Sequence, residues 1–267
     1  MKNKVVIAIP VYKETMDSFE SLSLRQCLKV LGNYDVCLFG PDSLNLSEYR
    51  HVFDTCQKAF QYIGFASSFF ESQRGYNRLM LTKEFYLRFR QWEYLLIYQL
   101  DAYVFQDELM DWCNKRYDYI GAPFLKLNRE VDWNNCGNGG FSLRKIASFI
   151  RLFEHEGRIL TWRGIWRYYR YRGPLHRLPM ALQRFMGKHN RVADYTGDWL
   201  NHNEDLFYAM LGDSTLKWKI PSTREAMYFS FEERPSYLYR LTGRLPFGCH
   251  AFLKNEYQEF YKEFIHE

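Results

Sequence analysis

Residues 94–107, YLLIYQLDAYVFQD, constrain the fold of this 267-residue chain more than any other stretch. From Tyr94 to Leu100 only Gln99 interrupts a run of aromatic and branched aliphatic side chains. The run is too short to cross a membrane and too continuously apolar for a strand with one wet face. It reads as a strand covered on both faces, the kind found at the centre of α/β sheets. Asp101 closes it. Open α/β sheets bind ligands in the crevice beyond the carboxyl ends of their strands. A carboxylate there can hold a divalent cation or a ribose hydroxyl, or simply cap the next turn.

The flanking sequence alternates in the way such a strand requires. Val5–Ile9 reads as a first strand, Ser18–Leu31 as an amphipathic helix stopped by Gly32, and Tyr34–Gly40 as a second strand. A helical patch near Glu48–Ala59, a strand at Phe60–Phe65 and a long helix at Gly75–Trp92 precede the Tyr94 run. Tyr117–Gly121 reads as a further strand, a helix runs to about His155, and Leu216–Ile220 reads as a late strand. Strands alternating with helices predict an α/β fold with a mostly parallel central sheet flanked by helices and joined by right-handed crossovers. The absence of repeats and low-complexity linkers predicts one domain over residues 1–267, with a basic helical insertion at about 157–193.

That insertion holds most of the charge asymmetry. Between Arg158 and Ala193 stand nine Lys/Arg and no acid, so the net charge of +5 hides a net acidic remainder. Trp162, Ile165, Trp166 and Tyr169 are spaced for one helix face, with Arg163, Arg167 and Arg170 on another. Past Gly173-Pro174, Leu178, Leu182, Phe185 and Met186 repeat the pattern with Arg177, Arg184 and Lys188. A basic face opposite Trp, Leu and Phe predicts a helix on an anionic membrane surface through about 158–191; a hairpin packed on the domain is the alternative. No nucleic-acid-binding module is recognisable. The five-residue apolar run before Pro10 is too short for a signal-peptide core, which predicts a cytoplasmic protein, and the basic insertion would place it peripherally at the inner face of the membrane. Six cysteines without a C-x-x-C pair predict reduced, mostly buried thiols.

Three further places depart from ordinary packing. Gly137, Gly139 and Gly140 around Asn138 permit positive φ and close approach to the backbone, which makes either a floor for a sugar or a tight turn. Asn203-Glu204-Asp205 opens a helix, where acids serve as caps or as a fixed base for an attacking hydroxyl. Helical neighbours diverge by about 100°, so Asp205 is taken as the base and Glu204 as a holder of acceptor hydroxyls or of the helix start. His250, after Phe247-Gly248-Cys249, is either a core histidine or a partner for a carboxylate around Mn²⁺.

IPVYKE, RGYNRLML, LLIYQLDAYVF, YDYIGAPF, GNGGFSLRK, NEDLFY, IPSTREAMYFSFE and PFGCHAF follow one another from Ile9 to Phe252. Together they resemble the GT-A glycosyltransferases and, more narrowly, the glycosyltransferase-like family known as the domain of unknown function 5672. The resemblance implies transfer of a sugar from a nucleotide sugar to a hydroxyl of a glycan or lipid-linked acceptor, lipopolysaccharide precursors among them. Pro10, Tyr12, Gly75, Tyr76 and Asn77 would border the nucleotide, with Gln99, Asp101 and Tyr103 completing the donor side. Asn138, Gly139 and Gly140 would line the acceptor side with Asn203-Glu204-Asp205. Asp101 matches the first acid of an Asp-x-Asp motif, whereas Tyr103 stands where the second would be. Asp101 and His250 would therefore hold Mn²⁺ or Mg²⁺ with the diphosphate and water, unless no metal is needed. A cation neutralises the leaving diphosphate by several kcal/mol, and Arg144 or Lys145 would assist. The expected reaction is an inverting transfer with Asp205 as base; the rival is a carbohydrate- or nucleotide-binding module without catalysis.

Overall fold

The computed structural model describes residues 3–126, 128–169, 174–186, 189–199 and 204–266. Its first half is a βα alternation: β1 (Asn3–Pro10), α1 (Ser18–Leu31), β2 (Asp35–Pro41), α2 (Ser47–Thr55) and β3 (Gln61–Phe65). Helix α1 shows why the chain obeys this rhythm. The Asp17 carboxylate accepts from the backbone N–H of Phe19 and Glu20, while Glu20 accepts from the N–H of Asp17. That reciprocal cap starts the helix, and Leu24, Cys27, Leu28 and Leu31 are its buried stripe.

The long helix expected over Gly75–Trp92 is two helices, α3 (Gln73–Met80) and α4 (Lys83–Arg88). Between them Thr82 is extended, and its hydroxyl donates to the Leu79 carbonyl and accepts from the N–H of Phe85. A threonine that satisfies the new helix start in this way competes with helix continuation. Strand β4 (Trp92–Tyr98) then enters beside β1, in parallel, with Ala8 opposite Ile97. Leu95 and Ile97 pack into one apolar cluster, Tyr94, Leu96 and Tyr98 into another on the opposite face, all fully buried. The doubly covered strand is thus as the sequence predicts.

After β5 (Tyr103–Val104) and α5 (Leu109–Asn114) come β6 (Tyr119–Leu125), the 15-residue β7 (Val131–Lys145) and α6 (Ile146–Phe153). The main sheet runs β3-β2-β1-β4-β7-β6, parallel through β4 and antiparallel at β7 and β6. The glycine cluster is therefore not a loop but the middle of a strand. Only Gly137 takes a positive φ, of 131°. A Cβ on Gly121 would fall 2.1 Å from the Asn138 carbonyl oxygen, so these two backbones approach without side chains between them.

The basic region contains α7 (Trp162–Tyr168), α8 (Pro174–Phe185) and α9 (Val192–Trp199). The expected apolar stripe on α7 is divided. Ile165 and Tyr169 are buried in the core, while Trp162 and Trp166 reach the surface. Leu178, Leu182, Phe185 and Met186 are exposed with them. Arg167 bonds Asp213 at 2.8 Å, and Arg177 lies 3.8 Å over the Trp166 ring, so part of the basic face is used internally. Arg170, Gly173, Lys188 and Asn203 lie outside the described residues. Among the described residues no helix is long and apolar enough to cross a membrane.

The remaining elements are α10 (Glu204–Met210), α11 (Thr223–Phe229), β8 (Ser230–Phe231), α12 (Pro235–Thr242) and β9 (Gly248–Cys249). The strand expected at Leu216–Ile220 does not form, because Lys217 takes a φ of 52° and breaks the extension. Strands β5, β9 and β8 make a second, three-stranded sheet. All six cysteines are free, and only Cys56 is not buried.

Candidate active site

The small sheet is built from two-residue strands, and each delivers a polar side chain at its end. Tyr103 pairs with Cys249, and Phe231 with Cys249 on the other side. Asp101 thus stands two residues before one strand, Glu232 just after another and His250 just after the third. The backbone fixes their meeting: the N–H of His250 donates to the Phe231 carbonyl at 2.9 Å, and that of Phe252 to the Asp101 carbonyl at 3.3 Å. His250 Nε2 lies 3.1 Å from Asp101 Oδ1 and 3.1 Å from Gln99 Oε1, and Nδ1 lies 3.2 Å from Glu232 Oε2. Lys254 Nζ reaches Asp101 Oδ2 at 3.5 Å.

This geometry sets the charges. Burial alone would favour a neutral ring, but Glu232 and Asp101 carry the His250 pKa up to about 10. Burial would likewise raise Asp101, yet His250 and Lys254 hold it below the usual carboxylate range. Without a cation the site is an imidazolium between two carboxylates.

Strand β7 backs this cluster. The N–H of Gln99 donates to the Gly140 carbonyl at 3.1 Å, which brings the end of β4 against the glycines. A Cβ on Gly140 would fall 2.0 Å from His250 Nε2, so the ring occupies the space a side chain would take. One residue back, a Cβ on Gly139 would sit 3.2 Å from Glu204 Oε1 and 3.3 Å from Asp205 Cβ. The N–H of Gly139 donates to Asp205 Oδ2 at 3.1 Å. Asp101, His250, Gly140, Gly139 and Asp205 are therefore linked by successive contacts into one cluster. The expected open sugar floor is corrected: both glycines are buried, and the chain's own side chains fill the room they leave. Asn138, half-buried beside them, pairs with Ala122 across the sheet.

The two acids of α10 differ. Glu204 Oε1 accepts from Arg144 Nη2 at 3.2 Å, and Arg144 also donates to the Tyr86 hydroxyl at 3.0 Å. The guanidinium is fully buried, with its central carbon 5.5 Å from the Tyr208 ring centroid. It cannot assist a leaving diphosphate, as the sequence suggested; it neutralises Glu204. Lys145 cannot either, since it pairs with Tyr94 at the far end of β4. Glu204 is correspondingly a buried structural acid rather than a free ligand for acceptor hydroxyls. Asp205 is buried too, and burial followed by Glu204 and Glu232 holds its carboxyl well above the usual range. Its Oδ1 has no hydrogen-bond partner among the described residues.

The donor-side residues divide in the same way. Pro10 is buried at the end of β1, next to the end of β4, and Tyr12 is 58% exposed on the loop that follows. The Tyr76 hydroxyl is buried near Glu204, Arg144 and Gln99, within the same cluster. Asn77 is buried on α3. Tyr103 is a correction: its ring packs against Phe105 and Phe252 in a third apolar cluster, so it does not border a nucleotide. Glu232 went unassigned in the sequence, although it ends the segment IPSTREAMYFSFE. A cavity of about 600 Å³ lined by Phe153, His155, Arg191 and Thr196 shares none of these residues.

The cluster can also be tested against the cation that the sequence implied. Among the described residues no three His, Cys, Asp or Glu side chains form a metal cage. Asp101 Oδ1, Gln99 Oε1 and His250 Nε2 nevertheless lie close together, two of the three spacings being 3.1 Å. Neighbouring ligands of an octahedral ion bound at about 2.1 Å stand about 3 Å apart. Such ions commonly take one or two protein carboxylates and complete their shell with phosphate and water. The residues fit Mn²⁺ or Mg²⁺.

A family model described as Protein of unknown function (DUF5672) matches residues 59–250. No curated protein matches in sequence. The crystal structure of the galactosyltransferase LgtC, in complex with donor and acceptor sugar analogues, aligns over 92% of this chain and 86% of that one. Its identity is 11% and its TM-score 0.51, which establishes the shared GT-A fold alone. Core-mannan synthase A (CmsA/Ktr4) from Aspergillus fumigatus, in a Mn/GDP form, aligns at 8% identity over 83% of this chain and 73% of that one, with a TM-score of 0.49. The apo-form glycosyltransferase GlyE of Streptococcus pneumoniae TIGR4 aligns at 10% identity and a TM-score of 0.48; this chain covers 93% of itself but only 54% of GlyE. Neither of these two adds to the fold assignment.

Proposed function

The chain belongs to the family described as Protein of unknown function (DUF5672), and from that premise we propose that it is a nucleotide-sugar-dependent glycosyltransferase. The observation that carries the reading is the contact of the Asp101–His250 pair with Gly140, whose preceding residue, Gly139, holds Asp205. Asp101, His250 and Gln99 hold the donor's diphosphate end. A bound Mn²⁺ or Mg²⁺ would supply charge neutralisation there as the nucleoside diphosphate departs. Asp205 removes the proton of an acceptor hydroxyl, whose oxygen attacks the anomeric carbon with inversion. The raised Asp205 pKa adds a condition: the base form is scarce at low pH and grows as pH rises. Turnover should rise with pH accordingly.

The acceptor is a glycan or lipid-linked glycan, met at an anionic membrane surface by a basic insertion at about 157–193 in a single domain. Exposed Trp162, Trp166, Leu175, Leu178, Phe185 and Met186 beside Arg163 and Arg177 support this part of the reading. The test is nucleoside-diphosphate release from a panel of nucleotide sugars, with and without Mn²⁺, and anomeric analysis of the product by NMR. Asp205→Asn should lower turnover by about 10²-fold or more while donor binding persists. Donor binding without any release would favour the non-catalytic module, which Tyr103 in place of a second acid recommends.

A further inference from the structure

We infer that Glu232 is a positioning residue: it holds the His250 ring so that Nε2, together with Asp101 and Gln99, is presented to a divalent cation. The inference rests on the metal-assisted reading above. Three observations carry it. The first is the backbone. Glu232 and His250 follow directly after paired parallel strands, with Phe231 opposite Cys249, so their neighbourhood is set by the ladder and not by a chance rotamer. The second is the ring's confinement. Gly140 leaves only enough space for the imidazole on one side, and Glu232 Oε2 stands 3.2 Å from Nδ1 on another.

The third is the carboxylate's isolation. Glu232 and His250 side chains are 14% and 13% exposed, and among the described residues His250 is the one ion-pair partner of Glu232. Asp101, by contrast, is shared between His250 and Lys254. Glu232 Oε2 faces Nδ1 in ion-pair contact without hydrogen-bond alignment, and that buried charge on one side of the ring, with Gly140 on another, fixes the direction in which Nε2 points. An imidazole held in that orientation is a better-aimed ligand once a cation takes the place of the Nε2 proton. Removing such a partner typically costs about 10–100-fold in metal affinity.

The test is titration of the full chain with MnCl₂ alone, following free and bound Mn²⁺ by electron paramagnetic resonance. Nitrogen coupling to bound Mn²⁺ reports the imidazole contact, which a merely structural role would leave unchanged. Glu232→Gln keeps the shape and should weaken binding about tenfold; Glu232→Leu should weaken it towards 100-fold and diminish the nitrogen coupling. Should Glu232→Leu fail to fold, Glu232→Gln decides alone. Wild-type affinity and coupling in the folded variant overturn the role of Glu232 and leave the metal centre standing. Absence of Mn²⁺ binding, or of nitrogen coupling, in the wild-type chain overturns the metal centre and this inference with it.

Discussion

Replacing Gly140 by alanine places one methyl group where the His250 ring now lies. The added Cβ would stand 2.0 Å from Nε2, 2.3 Å from Cε1 and 2.4 Å from Cδ2. Ordinary contacts between such atoms are about 3.5 Å, so the ring must retreat by roughly 1.5 Å. Gly140 has no left-handed φ, so the backbone accepts alanine without strain and the effect is steric. The retreat breaks the 3.1 Å spacings from Nε2 to Asp101 and Gln99. Misplacing a catalytic constellation by about 1 Å costs on the order of 10²-fold in rate, and overpacking costs about 1–3 kcal/mol in stability. The assay pairs nucleoside-diphosphate release with thermal unfolding. Gly197→Ala is the control, because a Cβ there meets nothing within 4 Å; it should leave the rate unchanged. A Gly140→Ala protein with turnover within about threefold of wild type would refute the claim that the glycine exists to seat the ring.

Three other outcomes follow from the same geometry. Arg144→Met strands Glu204 as an unpaired buried acid and should cost about 3–5 kcal/mol by urea unfolding; adding Glu204→Leu should recover part of that, and a strictly additive double variant would contradict the pairing. The Asp205 carboxyl holds its proton to higher pH when folded than when unfolded. Its stabilising share is therefore complete below the unfolded value of 3.8 and is lost as pH rises towards the raised folded one. Asp205→Asn should flatten the melting temperature over that window, and an unchanged pH profile would count against the shift. Replacing Leu175, Leu178 and Phe185 by serine should reduce co-sedimentation with anionic vesicles by about tenfold or more, at roughly 1.5–3 kcal/mol for each large side chain buried, and equal sedimentation would dismiss the membrane contact.

The sequence made some of this legible and concealed the rest for physical reasons. An apolar run closed by Asp101 announces a covered central strand, because burial on both faces leaves a continuous signature. His250 could be paired with Asp101 only through the family resemblance, since the two lie far apart along the chain. Glu232 left no signal: two-residue strands are too short for alternation to show, yet their register is what brings it to the ring. The glycines revealed close approach without revealing what approaches. Tyr103 stands at the motif position of a ligand, while its strand pairing turns it into the apolar cluster of Phe105 and Phe252. In α3 and α4 the apolar period continues through Leu81 and Thr82, and only a hydroxyl in the right place ends the first helix and starts the second.

Strand β7 serves the molecule twice. Phe141 and Leu143 knit it into the apolar interior, while Gly139 and Gly140 form a wall against which Asp205 and His250 lie. Re-contouring that wall would mean dislocating the central sheet, so variants with altered sugar preference should rarely be found among its residues. A selection for new donors should instead accumulate changes on exposed loops that leave the sheet, such as the one that carries Tyr12 after β1.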